Sequence, residues 1–171
     1  MRPPVLRGLE AGVHSNDHLS LRLWLRLLSC STSIEAVIRQ RLRTGFGTTL
    51  ARFDYLAQLY RHPDGLRMNA LSRNLMVTGG NVTGLTDQLE KDGLVERINL
   101  AADRRSILIQ LTAKGREQFA AMASTHETWV IGLFEGLSKA SQRDLYAVLG
   151  ELREHIANHA QVTNQPIGES Q

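Results

Sequence analysis

The sequence of 171 residues holds a single cysteine, Cys30, so no intramolecular disulfide staples it, and its thiol suits a reducing compartment such as the cytoplasm. It contains no run of about 18 or more apolar residues, which excludes a membrane-spanning helix. The opening stretch MRPPVLRGLEAGVHSND lacks an apolar segment followed by a small-residue cleavage site and does not read as a signal peptide. Catalytic signatures are missing as well. There is no HExxH, no GxSxG and no paired-carboxylate motif, and GFGTTL at 45–50 is not followed by the Lys-Ser/Thr pair of a phosphate-binding loop. The expectation is a non-enzyme with no cofactor, no metal and no membrane partner.

What the chain does have is an uneven charge. Between Arg39 and Arg105 stand eleven Lys/Arg against seven Asp/Glu, a net +4, whereas the whole chain is +3. A basic middle between near-neutral ends points to an anionic partner. Apolar residues make up 42% of the chain, enough for one domain with a core and for further helices used in assembly.

Apolar periodicity divides the chain into six helices and one hairpin, with flexible tails at 1–17 and 161–171. A first helix starts after Asn16 or Asp17 and runs to about Arg43. It carries two apolar stripes, Leu21, Trp24, Leu25 and Leu28 on one and Leu23, Leu27, Cys30, Ile34 and Val37 on the other. A helix apolar on two sides is buried on two sides. Thr48 or Thr49 caps a second helix that must stop near His62, because Pro63 and the turn signal Asp64-Gly65 follow. MNALSRNL makes a short third helix. TGGNVTGLTDQL, with Thr78 as N-cap, opens a fourth that ends near Gly93.

The period then changes to that of strands. Leu94–Ile98 and Ser106–Leu111 form a hairpin joined by Asn99–Arg105, a connection with charges at its tip. Thr112 caps a long helix with a narrow apolar seam at Phe119, Met122, His126, Trp129, Leu133 and Leu137. Ser138 or Ser141 starts the last helix, whose stripe is Leu145, Val148, Leu149, Leu152 and Ile156.

Helix, short helix, turn, helix, hairpin is the order of a winged helix-turn-helix, in which the third helix enters the DNA major groove and the hairpin reaches the backbone or minor groove. The expected fold class is mainly α with a small β-hairpin wing. Residues 48–112 form the DNA-binding region and the helices of 18–44 and 113–160 a dimerisation region, because their apolar surface exceeds what the central unit can cover. A two-fold homodimer would bury that surface and present two reading heads to double-stranded DNA.

The run VTGLTDQLEKDGLVER at Val82–Arg97 and the wing pattern Asp103-Arg104-Arg105 followed by Leu111, Thr112 and Gly115 resemble the MarR family of bacterial regulators over about residues 17–160. The resemblance implies an obligate dimer that represses or activates promoters. It also implies release by a small effector, either an aromatic acid, its CoA thioester, or an oxidant. A basic residue usual for the family is replaced by Gly84, and one often found is replaced by Gln88. With Lys91 against Asp87, Glu90 and Asp92, the recognition helix has a net charge of −2.

Taking Val82, Leu85 and Leu89 as inward, Gly80, Thr83, Gly84, Asp87 and Lys91 face outward, with Asn81 and Gln88 on the flank. Gly79, Gly80 and Gly84 then let the helix approach the duplex closely and offer N–H groups to phosphate at its N-terminus, where Thr78 stands. Asn81, Thr83 and Gln88 are short polar groups able to touch base edges. Arg67, Arg73, Arg104 and Arg105 supply phosphate or minor-groove contact, and Asp103 orients a wing arginine. The competing reading makes Gly79-Gly80 a plain turn. A protein-interaction module without specific DNA binding is the alternative favoured by the acidic helix.

Four residues are candidates for an effector pocket: Trp24, Arg39, Phe53 and His126. Core packing explains Trp24 and Phe53 equally, and a Glu35–Arg39 ion pair explains Arg39. Cys30 in its apolar stripe reads as a buried thiol, with oxidant sensing as the alternative. His155 and His159 have the spacing of a metal pair but no third ligand near in sequence.

Overall fold

The computed structural model describes residues 18–75, 79–99 and 107–163, with backbone alone for 79 and 160–163. Expectations for Thr78, Asp103, Arg104, Arg105 and most of the two tails lie outside these residues. The last helix continues through Thr163, so residues 161–163 are helical where the sequence suggests a tail.

The fold is mainly α with a small antiparallel sheet. In order, the elements are α1 (Leu19–Phe46), α2 (Leu50–Arg61), β1 (Leu66–Arg67), α3 (Met68–Leu75), α4 (Gly79–Lys91), β2 (Val95–Asn99), β3 (Ile107–Leu111), α5 (Ala113–Phe134) and α6 (Lys139–Thr163). They fall into two compact units that divide between Trp129 and Val130.

In the first unit, α1 is closed by the Gly47 N–H on the Arg43 carbonyl (3.1 Å) and the Thr48 N–H on the Leu42 carbonyl (3.3 Å). Thr49 then caps α2, its hydroxyl accepting from the Arg52 N–H. The core gathers Leu42 of α1, Tyr55, Leu56 and Leu59 of α2, and Leu71 of α3. Val82 and Leu89 of α4, Val95 and Ile109 of the sheet and Met122 of α5 complete it. Phe119 packs against Phe53 and Tyr60, with ring centroids 5.3 and 4.9 Å apart.

The sheet has three strands in the order β1-β3-β2, not the two of a simple hairpin. Leu66 pairs with Ile109 and Arg67 with Leu108. Two residues are too few to show an alternating pattern, so β1 is invisible to periodicity. The residue before it makes the pairing possible. Gly65 has φ +89, and a Cβ there would lie 2.8 Å from the Ile109 carbonyl oxygen and 2.6 Å from Gln110 Cγ. Asp64-Gly65 is thus a turn and also a point of close strand approach.

A second glycine fixes α5. The Thr112 hydroxyl accepts from the Gly115 N–H (2.9 Å) and donates to the Gly93 carbonyl (2.7 Å), while the Thr112 N–H donates to the Leu94 carbonyl (3.1 Å). Gly115 sits against that same Leu94 carbonyl, and a Cβ would lie 2.8 Å from its carbon and closer still to its oxygen.

In the second unit, Ser138 caps α6, accepting from the Ser141 N–H at 3.0 Å. The Gln142 amide closes the turn by donating to the carbonyls of Phe134 (2.9 Å) and Leu137 (3.0 Å). Leu137, expected to continue the α5 seam, therefore lies in this turn beyond the helix end. None of the described side chains of α6 is buried, and Tyr146 is 84% exposed.

Candidate nucleic-acid interface

Helix α4 presents to solvent the face expected of it. Gly80, Asn81, Thr83, Gly84, Asp87, Gln88 and Lys91 are exposed, while Val82 and Leu89 are fully buried. The inward stripe differs in one position. Thr86 is fully buried beside them, and Leu85 is only half-buried. A threonine can take a core position because its hydroxyl donates to the Val82 carbonyl one turn back (2.8 Å). That leaves its oxygen to accept from the Tyr55 hydroxyl (2.6 Å), a buried polar link from α4 to α2. Burial pushes the Tyr55 phenol up to about 12.

This link gives a prediction. Thr86→Val leaves the Tyr55 hydroxyl buried without that partner, and should destabilise the fold by about 1–3 kcal/mol. Tyr55→Phe leaves Thr86 still bonded to Val82 and should cost about 1 kcal/mol or less. Urea unfolding of both variants checks the order; equal midpoints for Thr86→Val and wild type would refute it.

The net charge of −2 summed along the helix is not what solvent meets. Arg97 of β2 divides its guanidinium between two carboxylates of α4, Nη2 pairing with Asp87 and Nη1 with Glu90. The hydrogen bond to Asp87, helped by the Glu90 charge and opposed by loss of solvent, raises the Arg97 pKa, so the group stays charged. Arg52 at the start of α2 pairs with Asp92 at the end of α4, and its hydrogen bond holds the Asp92 carboxyl below the usual range. Both arginines come from other elements, so counting charges along one helix misses them.

Arg67 is exposed on β1 and Arg73 is exposed in the last turn of α3. The structure brings Arg73 and Thr83 together along an open groove of about 480 Å³ between α3 and α4, lined also by Met68, Asn69 and Ser72. Asn69 and Ser72 went unnoticed in the sequence. Their signal is the spacing of polar residues three apart on a helix whose Leu71 is buried.

Of the four expected pocket residues, Arg39 alone lines the cleft that α1 to α4 form. Arg39 lines a cleft of about 370 Å³ among α1, α2, α3 and α4, together with Glu35, Arg43, Asp54, Leu75 and Leu85. Arg39 is ion-paired with Glu35, both about half exposed. Burial raises the Asp54 pKa, with His126 as the main opposing charge. Phe53 and His126 stack on each other, with centroids 4.8 Å apart, and neither lines this cleft. Trp24 lines no part of it and is 58% exposed on α1. Cys30, expected to be buried, is exposed in the single chain, while Leu27, Ile34 and Val37 of the same stripe are half-buried. Among the described residues no three or more His, Cys, Asp or Glu gather as a metal site, and no helix is long and apolar enough to cross a membrane.

A family model for the MarR family matches residues 48–107, from the capped start of α2 to the start of β3. The chain is similar to the HTH-type transcriptional repressor YetL of Bacillus subtilis, at 29% identity over 82% of this chain and 84% of that protein. It is also similar to a MarR family transcriptional regulator from Silicibacter pomeroyi, whose crystal structure aligns with TM-score 0.69 at 34% identity, covering 83% of this chain and 99% of that one. A crystal structure of the S. aureus MepR–DNA complex aligns with TM-score 0.64 at 27% identity, over 78% of this chain and 96% of the other. With a solvent-facing helix set on a winged core and these likenesses along most of its length, the chain belongs to the MarR family and is a DNA-binding transcriptional regulator, not an enzyme.

Proposed function

We propose that the protein works in the cytoplasm as a homodimeric repressor, binding a pseudo-palindromic promoter site with half-sites about one helical turn apart. The observation that carries this reading is the face of α4, where small and short polar residues replace long side chains over a fully buried Val82, Thr86 and Leu89. A Cβ at Gly80 or Gly84 would meet no described residue within 4 Å beyond its chain neighbours and the helix's own backbone, so packing among the described residues requires a glycine at neither place. Asn81, Thr83 and Gln88 then read base edges, and Arg67 and Arg73 meet phosphate, joined by Gly79 and Thr78 at the helix start and by Arg104 and Arg105, oriented by Asp103, in the wing.

Homodimerisation is supported by the exposed apolar residues of α1 (Leu19, Leu21, Leu23, Trp24) and of α6 (Leu145, Val148, Leu152, Ile156). Repression follows the name of YetL. The effector is an aromatic acid, or the aryl end of its CoA thioester, held in the 370 Å³ cleft by Arg39 and Arg43, with Leu75 and Leu85 as apolar floor. Leu85 belongs to α4, so an occupant of the cleft touches the reading helix directly and shifts the population of its orientations. The interaction-module alternative rested on an acidic recognition helix, and that acidity is neutralised by Arg97 and Arg52.

A gel shift with duplex DNA from upstream of the gene, followed by titration of benzoate-type acids and their CoA thioesters, tests this reading. Sequence-specific binding that an acid reverses supports it; no specific shift at moderate salt overturns it. The glycines add a sharper arm. Gly84→Ala should stabilise the helix by about 1 kcal/mol yet weaken operator binding, and Gly80→Ala should act in the same direction. Full affinity in both variants would mean that close approach is not their role.

A further inference from the structure

Asp87 and Glu90 stand three residues apart on one side of α4, next to exposed Thr83, and both face β2. Arg97 is the residue of β2 that meets them. Its side chain is 28% exposed, with each terminal nitrogen given to a different carboxylate. The third acidic residue near this helix end, Asp92, has its own partner in Arg52. One guanidinium therefore serves two carboxylates on a helix that otherwise has Lys91 as its sole Lys or Arg.

We propose that Arg97 is a positioning residue for DNA binding: it masks Asp87 and Glu90 from the phosphates, without itself touching the duplex. Double-stranded DNA carries one negative charge per roughly 1.7 Å of axis. Two unmasked carboxylates on the helix nearest those phosphates repel them. This role rests on the reading that α4 faces DNA.

The test uses full-length protein and a duplex of the chain's own upstream DNA, with thermal melts in parallel. Arg97→Met keeps the aliphatic stem and removes the charge. At roughly 50 mM salt it should bind more than tenfold more weakly than wild type, with the deficit shrinking near 200 mM as the carboxylates are screened. A purely structural loss would not shrink with salt. Adding Asp87→Asn and Glu90→Gln to Arg97→Met should restore affinity to within about threefold of wild type, since nothing is left to mask. A triple variant as weak as Arg97→Met would show that unmasked carboxylates do not cause the loss, and overturns the proposal. So does Arg97→Met binding like wild type.

Should Arg97→Met fail to fold, Asp87→Asn/Glu90→Gln with Arg97 intact decides. Tighter binding than wild type supports masking, and weaker binding shows that the carboxylates are themselves needed at the duplex. A wild-type chain that binds no DNA overturns the regulator reading and this role together. A wild type that binds, with variants that disobey, overturns this role alone.

Discussion

Gly115→Ala should be strongly destabilising, although it adds a single methyl group. Its Cβ would overlap the Leu94 carbonyl, 2.8 Å from the carbon and closer still to the oxygen, a backbone group that cannot swing aside as a side chain can. That carbonyl already accepts the Thr112 N–H, and Thr112 in turn caps α5 and holds the Gly93 carbonyl. Relief of the clash must therefore move either the first turn of α5 or the start of β2, and both moves break hydrogen bonds. Overpacking of this kind costs about 3 kcal/mol, which for a chain of this size lowers the melting temperature by roughly 6–12 °C. Differential scanning calorimetry measures it directly. A melting point within a degree or two of wild type would mean that the helix and strand are less tightly opposed than described. Gly47, where a Cβ meets nothing within 4 Å, is not a fair control because its φ of +60 brings strain of its own; Gly132, with open space and no such φ, is.

The largest expected effect on DNA binding comes from two residues of the second unit. Val148→Asp with Leu152→Asp puts two charges on the apolar stripe of α6. Neither side chain is buried within the chain, so the helix itself has little reason to melt. If the stripe is the dimer surface, burying a carboxylate there is prohibitive and the protein sediments as a monomer. A monomer offers one reading head where the dimer offers two. Loss of that linkage lowers operator affinity by roughly 100-fold or more. Analytical ultracentrifugation and a binding titration on the same samples decide the matter. A variant that still sediments as wild type and binds equally well would move the dimer surface elsewhere.

Most of the helical framework is legible in the sequence because long amphipathic segments carry a strong 3.6-residue period, and Thr49, Thr112 and Ser138 announce their helices by the chemistry of capping. Features that depend on distant pairing are not legible. Strand β1 is defined by its partner β3, not by its own two residues. Thr86 carries no apolar signal of a core position, and its place there becomes clear only with its hydrogen bond to Tyr55, thirty-one positions away. The charge of α4 changes meaning once Arg52 and Arg97 arrive from other elements. Arg39 lines the 370 Å³ cleft and Trp24, Phe53 and His126 do not, because a helical stripe says that a residue faces something without saying what.

The short corner at residues 92–94 gathers Arg52 from α2, Lys114 and Thr112 from the start of α5, and the end of α4 onto three successive residues. In mechanical terms it is a rivet through three plates. The base of the wing, the reading helix and the root of α5 share one fastening, so none of them can open alone at that end. Any motion that separates DNA-bound from free protein has to swing them as a single piece, with the far end of α4, at Gly79 and Gly80, travelling furthest.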